Sequence, residues 1–321
     1  MPAANRDVID AAAAILGARA QRSAPLGTRT TYRVGGPAAL LLEVVDEADL
    51  MAARRAVEAT GIAVVVVGRG SNLLVADQGF DGLAVVVGEA QGNLDIDVAS
   101  GRVRAGAGLS LPVLARRTAA AGLAGLEWAV GVPGSVGGAV RMNAGGHGSD
   151  MAANLVGYGF VDLAGGDDGW FEATRLDFGY RHSSVQATHV VTAAEFALDL
   201  GDAAASEAAI ADIVRWRREH QPGGQNAGSV FTNPPGDSAG RLVEESGGGE
   251  LRRGSATVSP RHANFVQADP GGSADDVLAL IREVQQRVKE KTGTGLCLEL
   301  QLVGFETAGS SGEGLPGPEG P

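Results

Sequence analysis

Two glycine-bearing stretches hold the residues whose types and spacing could do chemistry. The first is Gly68-Arg69-Gly70-Ser71-Asn72-Leu73, which follows directly on the apolar run AVVVV at 63–67. Gly68 and Gly70 let successive backbone N–H groups converge on one point, and the Ser71 hydroxyl can add a bond. Such a loop suits an anion, for example a phosphate. A plain tight turn is the alternative. The third glycine of the dinucleotide fingerprint is absent, so the usual nicotinamide-binding turn does not fit. The second stretch is VGVPGSVGGAVRMNAGGHG at 130–148. Glycine is favoured where backbone needs a positive φ or must come very close to another group. The stretch reads either as main chain laid against a ligand or as a loop-rich connector. No Ser-His-Asp arrangement, HExxH or Cys/His ligand spacing is evident, so no metal site is expected.

The elements around these stretches follow from pattern. A helix is expected over 8–20, a β-prone run over 26–36 and a strand over 40–45. Asp46 is a suitable N-cap for a helix running to Thr60, with Gly61 at its end. The valine run 63–67 has the unbroken apolar character of a strand buried on both faces. Strands are expected over 82–87 and 101–107, and a helix capped by Ser110 over 111–121. Further strands are expected over 155–161, 169–173 and 190–198. A domain boundary is placed near 201–206, where small polar residues take over. Helices are then expected over 208–219 and 239–246, and strands over 256–258 and 263–267. Ser273 and Asp276 resemble a capping box for a helix that sets Val277, Leu280, Ile281, Val284 and Val288 on one face. A closing strand is expected over 296–303. There, alternation would set Cys297, Glu299 and Gln301 opposite the leucines. The stretch after 307 is too polar and glycine-rich to bury surface and is expected to be disordered.

Composition narrows the function classes. The 321 residues carry a net charge of −12, which disfavours non-specific nucleic-acid binding. Phosphorylated small ligands stay admissible, because local arginines and backbone N–H groups can hold them. With 44% hydrophobic residues the chain can bury a core, and 49 glycines against 4% aromatics favour close backbone approach. A single cysteine, Cys297, rules out an intrachain disulfide. No stretch nears the ~18 unbroken apolar residues of a membrane span, and the N-terminus lacks a signal-peptide core. A cytoplasmic protein without a membrane partner is therefore expected.

Several motifs occur together in a fixed order. TTYRVGG at 30–36, VVGRGSNLL and GVPGSVGGAVRMNAGGHG come first. They are followed by YRHS at 180–183, AGSVFTNP, AGRLVEESG, VSPRHANFV and LELQLVG. This series resembles the UDP-N-acetylenolpyruvoylglucosamine reductase family of peptidoglycan biosynthesis, over about residues 26–304. The resemblance implies an α+β fold: a two-subdomain FAD-binding fold of the vanillyl-alcohol-oxidase (PCMH) type, plus a C-terminal α/β substrate domain. Its parts would be 1–87, 88–203 and 204–306, with 307–321 as the tail. It implies non-covalent FAD reduced by NADPH. The substrate would be the enolpyruvyl ether of UDP-N-acetylglucosamine, taken to UDP-N-acetylmuramate. Arg181 and Ser229 are only 48 positions apart, so the chain resembles the shorter type, without a tyrosine-bearing loop. A monomer is expected.

The resemblance also assigns residues. Gly68, Arg69, Gly70, Ser71, Asn72 and Leu73 would hold the FAD diphosphate. Pro133, Gly134, Ser135, Gly137, Gly138, Asn143 and Gly145 would run beside the phosphates and the ring. Ser229 would donate the proton to C2, with Arg181 and Glu299 at the substrate carboxylate. Tyr180, Asn233 and His262 match positions near substrate. A guanidinium pairs bidentately with a carboxylate and keeps its proton, which suits Arg181. Without the resemblance, Arg181 reads as a surface ion pair, Ser229 as a turn serine and Glu299 as part of a solvated face. Departures are visible too. Thr232 stands where the family usually has Lys, Gln301 where it often has Arg, and Gly146-His147 where it often has Ala-Tyr. His147 is either part of the flavin environment or a loop residue without a role. Two rival readings stay open: a flavin-dependent oxidase of the same superfamily, and a paralogue that binds a nucleotide sugar without turnover.

Overall fold

A computed structural model describes residues 3–305 of the chain; the expected disordered tail lies outside the described residues. The first layer is built from α1 (Ala3–Leu16), β1 (Ala20–Ala24), β2 (Ala38–Val44), α2 (Glu47–Thr60), β3 (Val64–Val67), β4 (Leu73–Val75) and β5 (Phe80–Val87). Its sheet runs β1-β2-β5-β3, with β2 and β3 both parallel to the central β5. Parallel neighbours need a crossover, which α2 supplies. Asp46 and Asp49 form a reciprocal capping box at its start, and Gly61 closes it in the left-handed region. The helix α1 ends earlier than the pattern suggests, because Gly17 turns the chain at φ 57° and frees β1 to pair with β2.

The second layer follows. It contains β6 (Leu94–Asp97), β7 (Arg102–Gly106), α3 (Leu111–Ala120), β8 (Leu123–Ala124), α4 (Val136–Met142), β9 (Gly145–Gly146) and β10 (Ser149–Asp150). It continues through β11 (Leu155–Asp162), β12 (Gly169–Glu172), β13 (His189–Ala197), β14 (Asp199–Leu200) and α5 (Ala203–His220). The main sheet is antiparallel in the order β12-β11-β13-β7-β6. One continuous core joins it to the first layer, from Ile9 through Leu83 and Phe196 to Ile210. Ile210 belongs to α5, so that helix packs with the segments before it.

The third layer has α6 (Ala239–Glu245), a small antiparallel sheet of β15 (Arg252–Arg253), β16 (Ala256–Val258) and β17 (Val266–Ala268), and α7 (Ala274–Thr292). The Ser273 side chain accepts the Asp276 N–H at the head of α7. Val277, Leu280, Ile281, Val284 and Val288 are buried along one stripe. Asp77, from the first layer, accepts the Ala274 N–H at 2.9 Å and so ties α7 across the molecule. The last strand, β18 (Gln301–Val303), returns to the first layer and pairs parallel with β4. The architecture is α+β. No described helix is long and apolar enough to cross a membrane.

Three expected strands differ. Residues 26–36 form a 3₁₀ turn, Gly27–Arg29, and irregular backbone. The Thr30 hydroxyl donates to Gly27 O at 2.8 Å, and Arg33 takes φ 54°; local side-chain bonding replaces the ladder. The closing strand spans only Gln301–Val303. Residues 296–300 cross between layers, with one bridge from Leu298 to Phe231. The strand expected over 263–267 is Val266–Ala268, because Asn264 turns its side chain to the Phe231 backbone.

Candidate active site

A cleft of about 560 Å³ opens where the three layers meet. One wall is the loop 68–73. Val67, at the end of β3, is buried and delivers the chain straight into it. Gly70 has φ +62°, and a Cβ there would lie 2.6 Å from Arg29 O. Its carbonyl accepts the Thr31 N–H at 3.0 Å. The irregular 26–36 segment thus buttresses this loop. A Cβ on Gly68 would collide with the Ser135 hydroxyl, so two glycine-bearing segments touch at the cleft wall. Among the described residues, the N–H groups of 69–72 have no acceptor in the protein.

The second wall runs from Gly131 to His147. Leu111 N–H donates to Gly134 O and Val136 N–H to Leu109 O, fixing the run that enters α4. Pro133, Gly134, Ser135, Gly138 and Gly145 border the cleft. Gly137 and Asn143 do not. The Gly137 N–H is spent on Ala107 O at 2.9 Å, and a Cβ there would press on the Ala107 side chain. Asn143 is buried at the end of α4. Its amide reaches Gly179 O at 2.9 Å and Asp150 at 3.2 Å, while its carbonyl accepts the Ala152 N–H. Both residues shape the wall from behind.

Arg181, Ser229 and Glu299 all face this cleft. Arg181 sits at φ 55° in a loop closed by reciprocal Gly179–His182 backbone bonds. A left-handed arginine costs on the order of 1–3 kcal/mol of strain, so the surrounding bonds must hold it. Its Nε donates to Glu299 Oε1 at 3.0 Å and its Nη2 to Gly145 O at 2.8 Å. Burial raises the Glu299 pKa above its ordinary value; the neighbouring Arg181 opposes that rise. The Glu299 backbone is held twice. Its N–H donates to Val230 O at 2.9 Å, and its carbonyl accepts from the Asn72 amide at 2.9 Å. Val230 follows Ser229 directly, so the serine and the carboxylate share one frame. Buried Asn264 fixes that frame. Its carbonyl accepts the Val230 N–H, and its side chain pairs with both backbone groups of Phe231.

Other expected residues lie elsewhere. Tyr180 is 60% exposed, and its ring sits beside the Arg181 guanidinium, outside the cleft lining. Asn233 is exposed and accepts the Ala239 N–H at the head of α6. His262 packs on Phe265 and accepts the Asn264 N–H; Thr232 bonds to Cys297 O. None of these borders the cleft, whereas Gln301 does. His147 borders it as well, edge-on to Trp216 at 5.2 Å. Burial, and then the Arg217 charge, push its pKa down. Sequence reasoning passed over Trp216, Arg217 and Gln221 at the end of α5, and over Arg141 and Phe265. The signal available was a basic and aromatic cluster in a last helical turn, just before Pro222.

Residues 220–303 match the family model of the UDP-N-acetylenolpyruvoylglucosamine reductase C-terminal domain, and residues 38–167 match that of an FAD binding domain. A UDP-N-acetylenolpyruvoylglucosamine reductase from Synechococcus sp. (strain WH7803) is 42% identical over 292 residues, covering 89% of this chain and 94% of that protein. The chain belongs to the UDP-N-acetylenolpyruvoylglucosamine reductase family. The family member from Heliobacterium modesticaldum is 44% identical over 286 residues, covering 87% of this chain and 89% of that protein. The crystal structure of the Thermus caldophilus reductase superposes with a TM-score of 0.75 at 37% identity, covering 89% of this chain and 99% of that one. Flavin dinucleotide fits the residues present. Unpartnered N–H groups and close-set glycines offer a cradle for a diphosphate, and the cleft leads from there to Arg181 and Glu299.

Proposed function

We propose that the cleft reduces the enolpyruvyl ether of UDP-N-acetylglucosamine to UDP-N-acetylmuramate, with NADPH as reductant. Bound FAD supplies hydride transfer. The chain's own residues bind the substrate, hold its charge and deliver a proton. Loop 68–73 and the cleft-lining residues Gly134, Ser135 and Gly138 hold the diphosphate of FAD through backbone N–H groups.

Arg181 and Glu299 receive the substrate carboxylate. Hydride arrival at C3 drives electron density from C2 into that carboxylate, and the guanidinium stabilises the growing charge. Among the described residues, only the Nε and Nη2 of Arg181 are engaged, leaving further N–H donors for the carboxylate. Burial disfavours the charged form of Glu299, which lessens repulsion between its carboxyl and that of the substrate. Ser229 gives its hydroxyl proton to C2 and regains one from solvent. An alcohol is a weak acid, and the strongly basic C2 makes the transfer feasible.

One observation carries this reading: the 3.0 Å Arg181–Glu299 contact lies in the same cleft as Ser229 and the glycine walls. NADPH consumption that requires the enolpyruvyl substrate is the expected result. NADPH consumption indifferent to that substrate would refute it. We place the enzyme in the cytoplasm as a monomer.

A further inference from the structure

Arg141 lies in the last turn of α4, between two hollows. One is the cleft. The other is a cavity of about 40 Å³ behind it, bordered by Ala107, Val185 and His189. Gly68, Ser135 and Gly138 border both. Arg141 therefore stands between the cleft and the cavity behind it, with loop 68–72 and the start of α4 bordering the cleft.

Its partners in the protein are neutral. Nη1 donates to Gln186 O at 2.6 Å and to Val185 O at 3.3 Å. Among the described residues, Arg141 forms no ion pair, whereas Arg181, which lines the same cleft, has Glu299. Asp162, the carboxylate on that side, lies 4.0 Å from His189 and is occupied by the Ala164 and Gly166 N–H groups. Burial lowers the Arg141 pKa. A half-buried guanidinium without a counter-charge is unfavourable unless an anion arrives. Among the described residues, its Nε and Nη2 have no partner, and the N–H donors of 69–72, which line the same cleft, also call for an anion. A planar fork with two free donor directions matches a phosphate.

We propose that Arg141 pairs with the diphosphate bridge of FAD, its Nη1 staying on the 185–186 carbonyls while the rest of the fork meets the phosphates. This rests on the reading of loop 68–73 with Gly134, Ser135 and Gly138 as the diphosphate cradle. The competing role is purely architectural, tying the 185–186 segment to α4.

The test uses full-length holoenzyme as wild type, Arg141→Met and Arg141→Lys. Each is equilibrated with mixtures of FAD and riboflavin, which has the ring but no phosphate. The retained flavins are then separated and counted. Arg141→Met lowers the FAD-over-riboflavin preference by about 10–100-fold, as expected for a charge-assisted bond. Arg141→Lys recovers part of it, since it keeps the charge but not the fork. Added salt erodes the wild-type preference more than that of Arg141→Met. An unchanged preference in Arg141→Met, even with both flavins held more weakly, would overturn the proposal in favour of the architectural role. Wild-type protein that prefers riboflavin or holds neither flavin would instead defeat the cradle reading itself.

Discussion

The two sides of the cleft work by different means. The wall formed by 68–73 and 131–138 presents backbone, and its requirement is the absence of atoms: a Cβ on Gly68 or Gly70 meets neighbouring atoms. The other side presents the side chains of Arg181, Ser229 and Glu299 in the same cleft, each brought in on separate, distant segments. The first side tolerates change of chemistry but not of volume. The second tolerates neighbours of many kinds but not loss of its functional groups. Binding a large flat dinucleotide asks for the former; moving charge and a proton at one carbon asks for the latter.

That contrast can be broken or sharpened by substitution. The largest effect is expected on the side-chain face. Arg181→Met should lower kcat/KM for the enolpyruvyl substrate by about 10²–10³-fold, the loss typical of one preorganised charge stabiliser, with flavin content retained. Loss of flavin in that variant would merge the two sides into one. Asn264→Ala should come next. It leaves the buried Phe231 N–H and C=O without partners, a cost of about 1–3 kcal/mol for each orphaned group. Thermal unfolding measures it, and a melting point equal to wild type would show that Asn264 holds nothing. Gly70→Ala should cost about 1–3 kcal/mol through left-handed strain and shed FAD, while any enzyme still carrying flavin keeps its KM. Flavin content after gel filtration reports this.

The smallest effect concerns Glu299→Gln. Burial raises the folded-state pKa of Glu299 above its unfolded value. The acid form is therefore favoured in the fold. The stability this contributes is present at low pH and is lost as pH rises through the folded pKa. Relative to wild type, the glutamine variant should gain stability as pH rises from the acid range towards neutrality. Each pKa unit of elevation is worth about 1.4 kcal/mol. Paired melts at several pH values check it, and a difference that does not vary with pH would remove the burial argument.

Where local chemistry decides the conformation, the sequence was readable. Asp46 and Gly61 bound α2, the valine run makes β3, and the apolar stripe of α7 faces the core. Residues 26–36 and 296–300 were misread because distant partners shape them. The first is bent to support Gly70, and the second must bond to Val230 and Asn72 in different layers. Residues of the motifs, among them Arg181, Ser229 and Glu299, line one cleft. The motifs did not separate residues that line the cleft from those that hold it. Gly137 and Asn143 sit among lining residues in sequence yet act from behind. Trp216 and Arg217 face the cleft from a helix whose pattern reads as ordinary surface.

The central claim is a division of labour: glycine-lined walls hold the flavin, and Ser229 delivers the proton to one carbon of the substrate. Rapid-mixing kinetics of Ser229→Ala tests it most directly, with the flavin absorbance followed in each half-reaction separately. The account predicts that bleaching by NADPH proceeds at the wild-type rate, while recovery of colour with the enolpyruvyl substrate slows by about 10²–10⁴-fold, the range for a lost general acid. Equal slowing of both halves, or of neither, would contradict it.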